Sequence, residues 1–138
     1  RKSLMEPTKV YPIIALLSLV TVEYGGWAWL SFITNRRGQL SDFQTGFFRA
    51  GHAHAGVLLV LSLVYFVYLG NNTDFADSTQ WIAGAILLAG VLAQSGGFFL
   101  HLTVGESGRG SVGTRLTRTG ALLIAVALVI LAIGIGQA

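Results

Sequence analysis

Four long apolar stretches alternate with short polar ones along the chain. They run from about Val10 to Ile33, Phe47 to Leu69, Thr79 to Leu102 and Leu116 to Gly136. Each is near the roughly 20 residues that a helix needs to cross a hydrocarbon core of about 30 Å. The connectors, 34–46, 70–78 and 103–115, hold the turn-forming residues, and the last carries Gly105, Gly108, Gly110 and Gly113. Backbone groups in hydrocarbon must be satisfied internally, which leaves helices or a closed barrel. The runs are continuous rather than alternating, and too long for barrel strands. The pattern predicts an all-α integral membrane four-helix bundle, a single transmembrane domain over residues 1–138, with sequential helices as antiparallel neighbours. The first run exceeds a signal-peptide core and no small-residue cleavage site follows it, so it reads as a retained helix.

Composition agrees with a lipid environment. Hydrophobic types make up 53% of the residues and charged types 11%, where a soluble domain carries about 25% charged residues. The absence of cysteine excludes disulfides, thiolate metal sites and a cysteine nucleophile. No Lys/Arg run has aromatic residues interleaved in a polar setting, so the net charge of +3 does not point to nucleic acid as a partner. It carries topology information instead. Arg36, Arg37, Arg49, Arg109, Arg115 and Arg118 fall on the first and third connectors and their helix edges. The opposite side has Arg1, Lys2 and Lys9, with Asp74 and Asp77 in the middle connector. The positive-inside rule then predicts a multi-pass protein of the cell (inner) membrane, with connectors 34–46 and 103–115 cytoplasmic and both termini outside. Tyr11, Tyr65, Tyr68 and Trp81 read as an aromatic belt at one interface.

Two pairs of segments suggest an internal repeat. Glu23-Tyr-Gly-Gly-Trp parallels Gln94-Ser-Gly-Gly-Phe, and Ala55-Gly-Val-Leu-Leu-Val parallels Thr119-Gly-Ala-Leu-Leu-Ile. Two helical hairpins of one orientation would then be related by an axis along the membrane normal.

Polar residues within spans are expensive. An ionised Glu23 near the middle of the first helix costs about 2.5–3.5 kcal/mol on insertion scales, so it calls for a partner or a proton. His52 and His54 lie early in the second helix, and His101 ends the third. Antiparallel geometry predicts that Glu23, one of the paired histidines, Gln94 and His101 gather in the half of the bundle near connectors one and three. His52 and His54 are roughly 200° apart on a regular helix, so they serve one centre only if the helix is distorted. A low-spin haem wants two neutral imidazoles on facing helices, which His52 or His54 with His101 would supply. Gly51, Gly56, Gly96 and Gly97 would make room, and Arg49 would pair with a propionate. A divalent metal would instead draw on Glu23, His52, His54 and His101. For Gly25, Gly26, Gly84 and Gly90, close helix packing without any ligand is the better reading. No nucleophile–base–acid set, phosphate loop or carboxylate pair is visible, so no catalytic residue is assigned.

The segment Arg49-Ala-Gly-His52-Ala-His54-Ala-Gly-Val-Leu-Leu resembles the second-helix segment of the catalytic subunit of haem–copper oxidases and nitric oxide reductases. There an Arg-x-x-His pattern supplies a ligand to haem b. The segment is also similar to one, His-Ala-His-x-x-Leu-Leu, in a group of small four-helix bacterial membrane proteins. The resemblance implies His52 as a haem ligand and Arg49 as its neighbour. It covers that segment alone. The chain is too short for the oxidase fold and has no histidine cluster for copper, so oxygen reduction is not implied.

Three readings follow. The first is a membrane protein that binds a haem or metal between its helices, as an electron-transfer or sensory module. The second is an accessory subunit without a cofactor of its own. The third is a proton-coupled carrier that uses Glu23. The expected partners are the lipid bilayer and either further copies of the chain or a larger membrane complex.

Overall fold

The computed structural model describes residues 5–35 and 40–138. Of the charges used for topology, Arg1, Lys2, Arg36 and Arg37 lie outside the described residues. The chain folds into four helices, α1 (Pro7–Asn35), α2 (Asp42–Asn71), α3 (Asp77–Val104) and α4 (Val112–Gln137). All four are long and apolar enough to cross a membrane, which makes this a multi-pass membrane protein.

Each helix extends past its apolar run, and the ends show why. Ser41 caps α2 by accepting from the Gln44 amide at 3.2 Å, while Gln44 Oε1 accepts from the Ser41 amide at 3.1 Å. Ser111 caps α4 in the same reciprocal way. Its Oγ accepts from the Gly113 amide at 3.0 Å, and Thr114 Oγ1 accepts from the Ser111 amide at 2.8 Å. These capping boxes satisfy orphan amides and let the helices start in polar sequence. Pro7 opens α1 at the position where its missing N–H costs nothing. Gly108, at φ 78°, provides the left-handed residue that turns the α3–α4 connector.

The cross-section is a diamond. α2 and α3 meet along the short diagonal, α1 packs on both from one side, and α4 packs on both from the other. Among the described residues α1 and α4 do not pack against each other. The tightest pair is α3–α4. Small residues recur at every seventh position on both helices: Ala83, Gly90 and Gly97 on α3, and Gly113, Gly120, Ala127 and Gly134 on α4. That spacing keeps one seam facing the partner in a left-handed pair. The backbones come close there. A Cβ added to Gly97 would stand 2.6 Å from the Gly113 carbonyl oxygen, and one on Gly113 would stand 2.6 Å from that of Gly97. Gly120 is equally close to the Gly90 carbonyl. Such contact is how membrane helices associate when lipid removes the hydrophobic drive between them.

The half of the bundle near the middle connector is solid. Tyr65, Phe66, Leu69, Ala83, Leu87 and Ala127 are buried there. Tyr65 donates to the Ala127 carbonyl at 3.0 Å, and Tyr11 donates to the Trp81 carbonyl at 2.7 Å. Tyr11 also stacks on Phe66, with ring centroids 5.3 Å apart. The expected aromatic belt is therefore mostly core. Tyr11 and Tyr65 point inward because a helix carbonyl satisfies each hydroxyl, and only Tyr68 is exposed.

Candidate functional site

Toward the other end, α1 parts from α3 and leaves a lateral groove between α1, α2 and α3. Its cavity is about 570 Å³. Ser18, Thr21 and Gly25 face it from α1, at positions that share one helix side. Phe48, His52 and Ala55 face it from α2, and Ala89, Leu92, Ser95, Gly96 and Phe99 from α3. The space exists because small residues form its floor: a Cβ added to Gly96 would meet nothing within 4 Å. The walls are otherwise apolar.

The polar groups of the groove differ in what they have left to offer. Ser18 donates to the Ile14 carbonyl at 2.8 Å, Thr21 to the Ser18 carbonyl at 2.6 Å, and Ser95 to the Val91 carbonyl at 2.6 Å. Each hydroxyl proton is thus spent within its own helix. His52 is different. Its ring lies over the Gly25–Gly26 backbone, where a Cβ would stand 3.6 Å from Nδ1 and 3.4 Å from Nε2 respectively. Phe48 stacks parallel to it, with centroids 6.0 Å apart. Among the described residues nothing hydrogen-bonds the imidazole. Among the described residues no fully buried side-chain nitrogen lacks a partner, so the His52 nitrogens are not sealed from the surface.

The other two histidines are engaged. His54 turns to α3 and donates from Nδ1 to the Ala50 carbonyl at 2.8 Å, its ring 4.6 Å from that of Phe98. His52 and His54 thus face different helices, as their angular separation on a regular helix requires. His101 is 3% exposed. Its Nδ1 is hydrogen-bonded to Ser111 Oγ at 2.7 Å, and Phe43 and Phe47 set their edges against it. It therefore links the end of α3 to the start of α4 and does not line the groove.

The remaining predicted residues are spread out. Glu23 and Arg49 are both exposed. Glu23 faces away from the groove and has no hydrogen bond or ion pair among the described residues. Arg49 stands one turn before His52 on α2. The Gln94 carbonyl accepts from Thr117 Oγ1 at 3.3 Å, which ties it to α4. Among the described residues no three His, Asp or Glu side chains gather as a metal-holding group.

Sequence reasoning did not single out Ser18, Thr21, Ala89 or the four phenylalanines, Phe43, Phe47, Phe48 and Phe98, whose rings meet the histidines. The α1 signal was present, since Ser18, Thr21 and Gly25 repeat at helical spacing in a run of large apolar residues. The Ser111 contact to His101 carried no periodic signal, because it comes from a connector. The chain matches no known protein family, no curated protein and no solved structure, so the site is read from its own geometry.

Proposed function

We propose that this four-span membrane protein holds a planar, largely apolar cofactor in the α1–α2–α3 groove, with His52 as its ligand, and that b-type haem is that cofactor. One observation carries the reading. His52 is the groove's polar side chain whose donor and acceptor atoms are not committed to the protein. The cavity of about 570 Å³ falls within the roughly 300–1,000 Å³ of small-molecule sites, which are mainly apolar with few polar groups. Arg49, exposed one turn away on α2, would be the residue to pair with a propionate. His54 and His101 are bonded elsewhere, so the donor set narrows from two imidazoles to one. Held by His52, a haem would supply the redox and ligand-binding chemistry of its iron, which suits sensing or electron transfer.

The test is the optical spectrum of protein purified from haem-supplied cells. A Soret band is expected, lost in His52→Ala and kept in His101→Ala and His54→Ala. A colourless wild-type protein, or a band that survives His52→Ala, would overturn the proposal.

The accessory-subunit reading draws on a separate observation. Glu23 and Arg118 are exposed on the outer faces of the spanning helices α1 and α4, and charges on such helices call for partners.

A further inference from the structure

Glu23 sits in the interior of α1 on the face turned from the bundle, flanked at helical spacing by the exposed Val20 and Trp27. Arg118 sits on α4, also turned outward, above the exposed Leu122 and Ala125. Neither charge has a hydrogen bond or ion pair among the described residues. An unpaired charge on a membrane-spanning helix is costly, and such residues normally pair.

The two lie at one depth. The neighbour of Glu23, Val22, faces Gly56 of α2, at 3.7 Å from an added Cβ. His54, two residues earlier on α2, meets Phe98 of α3. One turn along α3, Gln94 bonds Thr117 and lies against Gly120 on α4. Followed across the bundle, the level of Glu23 arrives at Thr117–Gly120, within about one helical turn, ~5 Å, of Arg118. The charges nonetheless stand at opposite corners of the diamond, since α1 and α4 do not pack against each other. They cannot meet within one chain.

We infer that they meet between chains: Glu23 of one copy pairs with Arg118 of the next copy, inserted in the same orientation, so that α1 of each chain packs on α4 of its neighbour. The contact joins two different faces, so it is head-to-tail and generates a ring or a row rather than a closed dimer. Equal depth and opposite sign select this occupant. A symmetric α1–α1 contact would place two carboxylates together, and an α4–α4 contact two guanidinium groups. Neither charge lies in the groove, so the inference is independent of what the groove holds.

The test uses the full chain, which has no native cysteine, in membranes. Val20→Cys and Leu122→Cys in one chain, which flank the two charges and leave both in place, treated with a short bifunctional thiol reagent, are expected to give a ladder of dimers, trimers and higher species. Each single variant is expected to stay monomeric on the gel. Dimers from Val20→Cys alone, cross-linking only to a different polypeptide, or a double variant that stays monomeric although both thiols label would each overturn the inference. Charge reversal supplies a second readout. Glu23→Arg or Arg118→Glu should each weaken self-association about tenfold or more in detergent, and the two together should restore it. Singles that assemble like the wild type, or a swap that fails to restore assembly, would also overturn it.

Discussion

In the α3–α4 hairpin, glycine backbone lies on glycine backbone, while in α1–α2 a histidine ring and a valine methyl stand between the helices. The parallel segments Glu23–Trp27 with Gln94–Phe98 and Ala55–Val60 with Thr119–Ile124 align the two hairpins position by position, so the residues that differ can be compared. Where α3 has Ala83, Gly90 and Gly97, the aligned positions of α1 are Pro12, Leu19 and Gly26. Where α4 has Gly113, Gly120 and Ala127, those of α2 are Arg49, Gly56 and Leu63. One hairpin has small residues throughout its seam and closes. The other has bulk at most of those positions and stays apart, with His52 and the groove on its open side. Side-chain volume at every seventh position thus decides how closely each pair of helices approaches.

The largest effect should come from closing off the tight seam. A side chain on Gly120 would run into the Gln94 amide and the Gly90 carbonyl, which are backbone atoms and cannot rotate aside. Overpacking a core costs about 1–3 kcal/mol where neighbours can adjust. Gly120→Leu should cost at least about that upper figure and part α4 from α3. The unfolding transition in detergent, followed by circular dichroism, checks this. An unchanged midpoint would mean that the glycine seam does not hold the bundle together.

Next is Ser111. Its hydroxyl caps α4 and bonds His101 at 2.7 Å, so Ser111→Ala removes an N-cap and leaves a buried imidazole nitrogen unsatisfied. The expected loss is about 1–2 kcal/mol, with no loss of groove ligand. Ser111→Thr should recover most of it. A His52-dependent spectrum that vanished in Ser111→Ala would show that the two hairpins are coupled, although His101 does not line the groove.

These contacts mark how far the sequence could be read. Continuous apolar runs of spanning length specify four helices, because backbone in lipid has no alternative. Their ends were less legible, since Ser41 and Ser111 carry the helices into polar sequence by capping boxes that hydropathy does not register. The histidines lay in the right half of the bundle, but helical phase alone does not say which neighbour each ring meets. His101 turned to Ser111 because the connector loops back through Gly108, and nothing periodic announces that path. The groove was hidden for a related reason. It depends on which neighbours Ser18, Thr21 and Gly25 of α1 face, and helical spacing alone does not say that.

A smaller effect is expected where α1 is tied to the rest. Tyr11 donates to the Trp81 carbonyl at 2.7 Å, and its ring lies over Gly84. Tyr11→Phe keeps the stack and removes the hydrogen bond, for about 1 kcal/mol. The loss should be local, with faster amide exchange in α1 and little change in α4. Equal change in both helices would mean that the four helices open as one unit and that the looser hairpin is not separately stable.

The smallest change in stability should come from the same substitution that is most damaging at Gly120, placed on Gly96. No atom lies within 4 Å of a Cβ there, so Gly96→Leu has room for its side chain. Surface-like substitutions shift stability by no more than about 0.5 kcal/mol, and leucine is a better helix former than glycine by roughly 0.8 kcal/mol. The unfolding midpoint should therefore hold or rise slightly. The added isobutyl group would project into the groove beside Ser95 and Phe99 and take up the space facing His52. A cofactor bound there should be lost as completely as in His52→Ala, in a protein as stable as the wild type. A midpoint that fell as far as in Gly120→Leu would show that the groove is closed by packing in the membrane. A Soret band that persisted at full strength in Gly96→Leu would place the cofactor elsewhere. Gly96 and Gly120 thus separate space that serves the fold from space that serves a ligand.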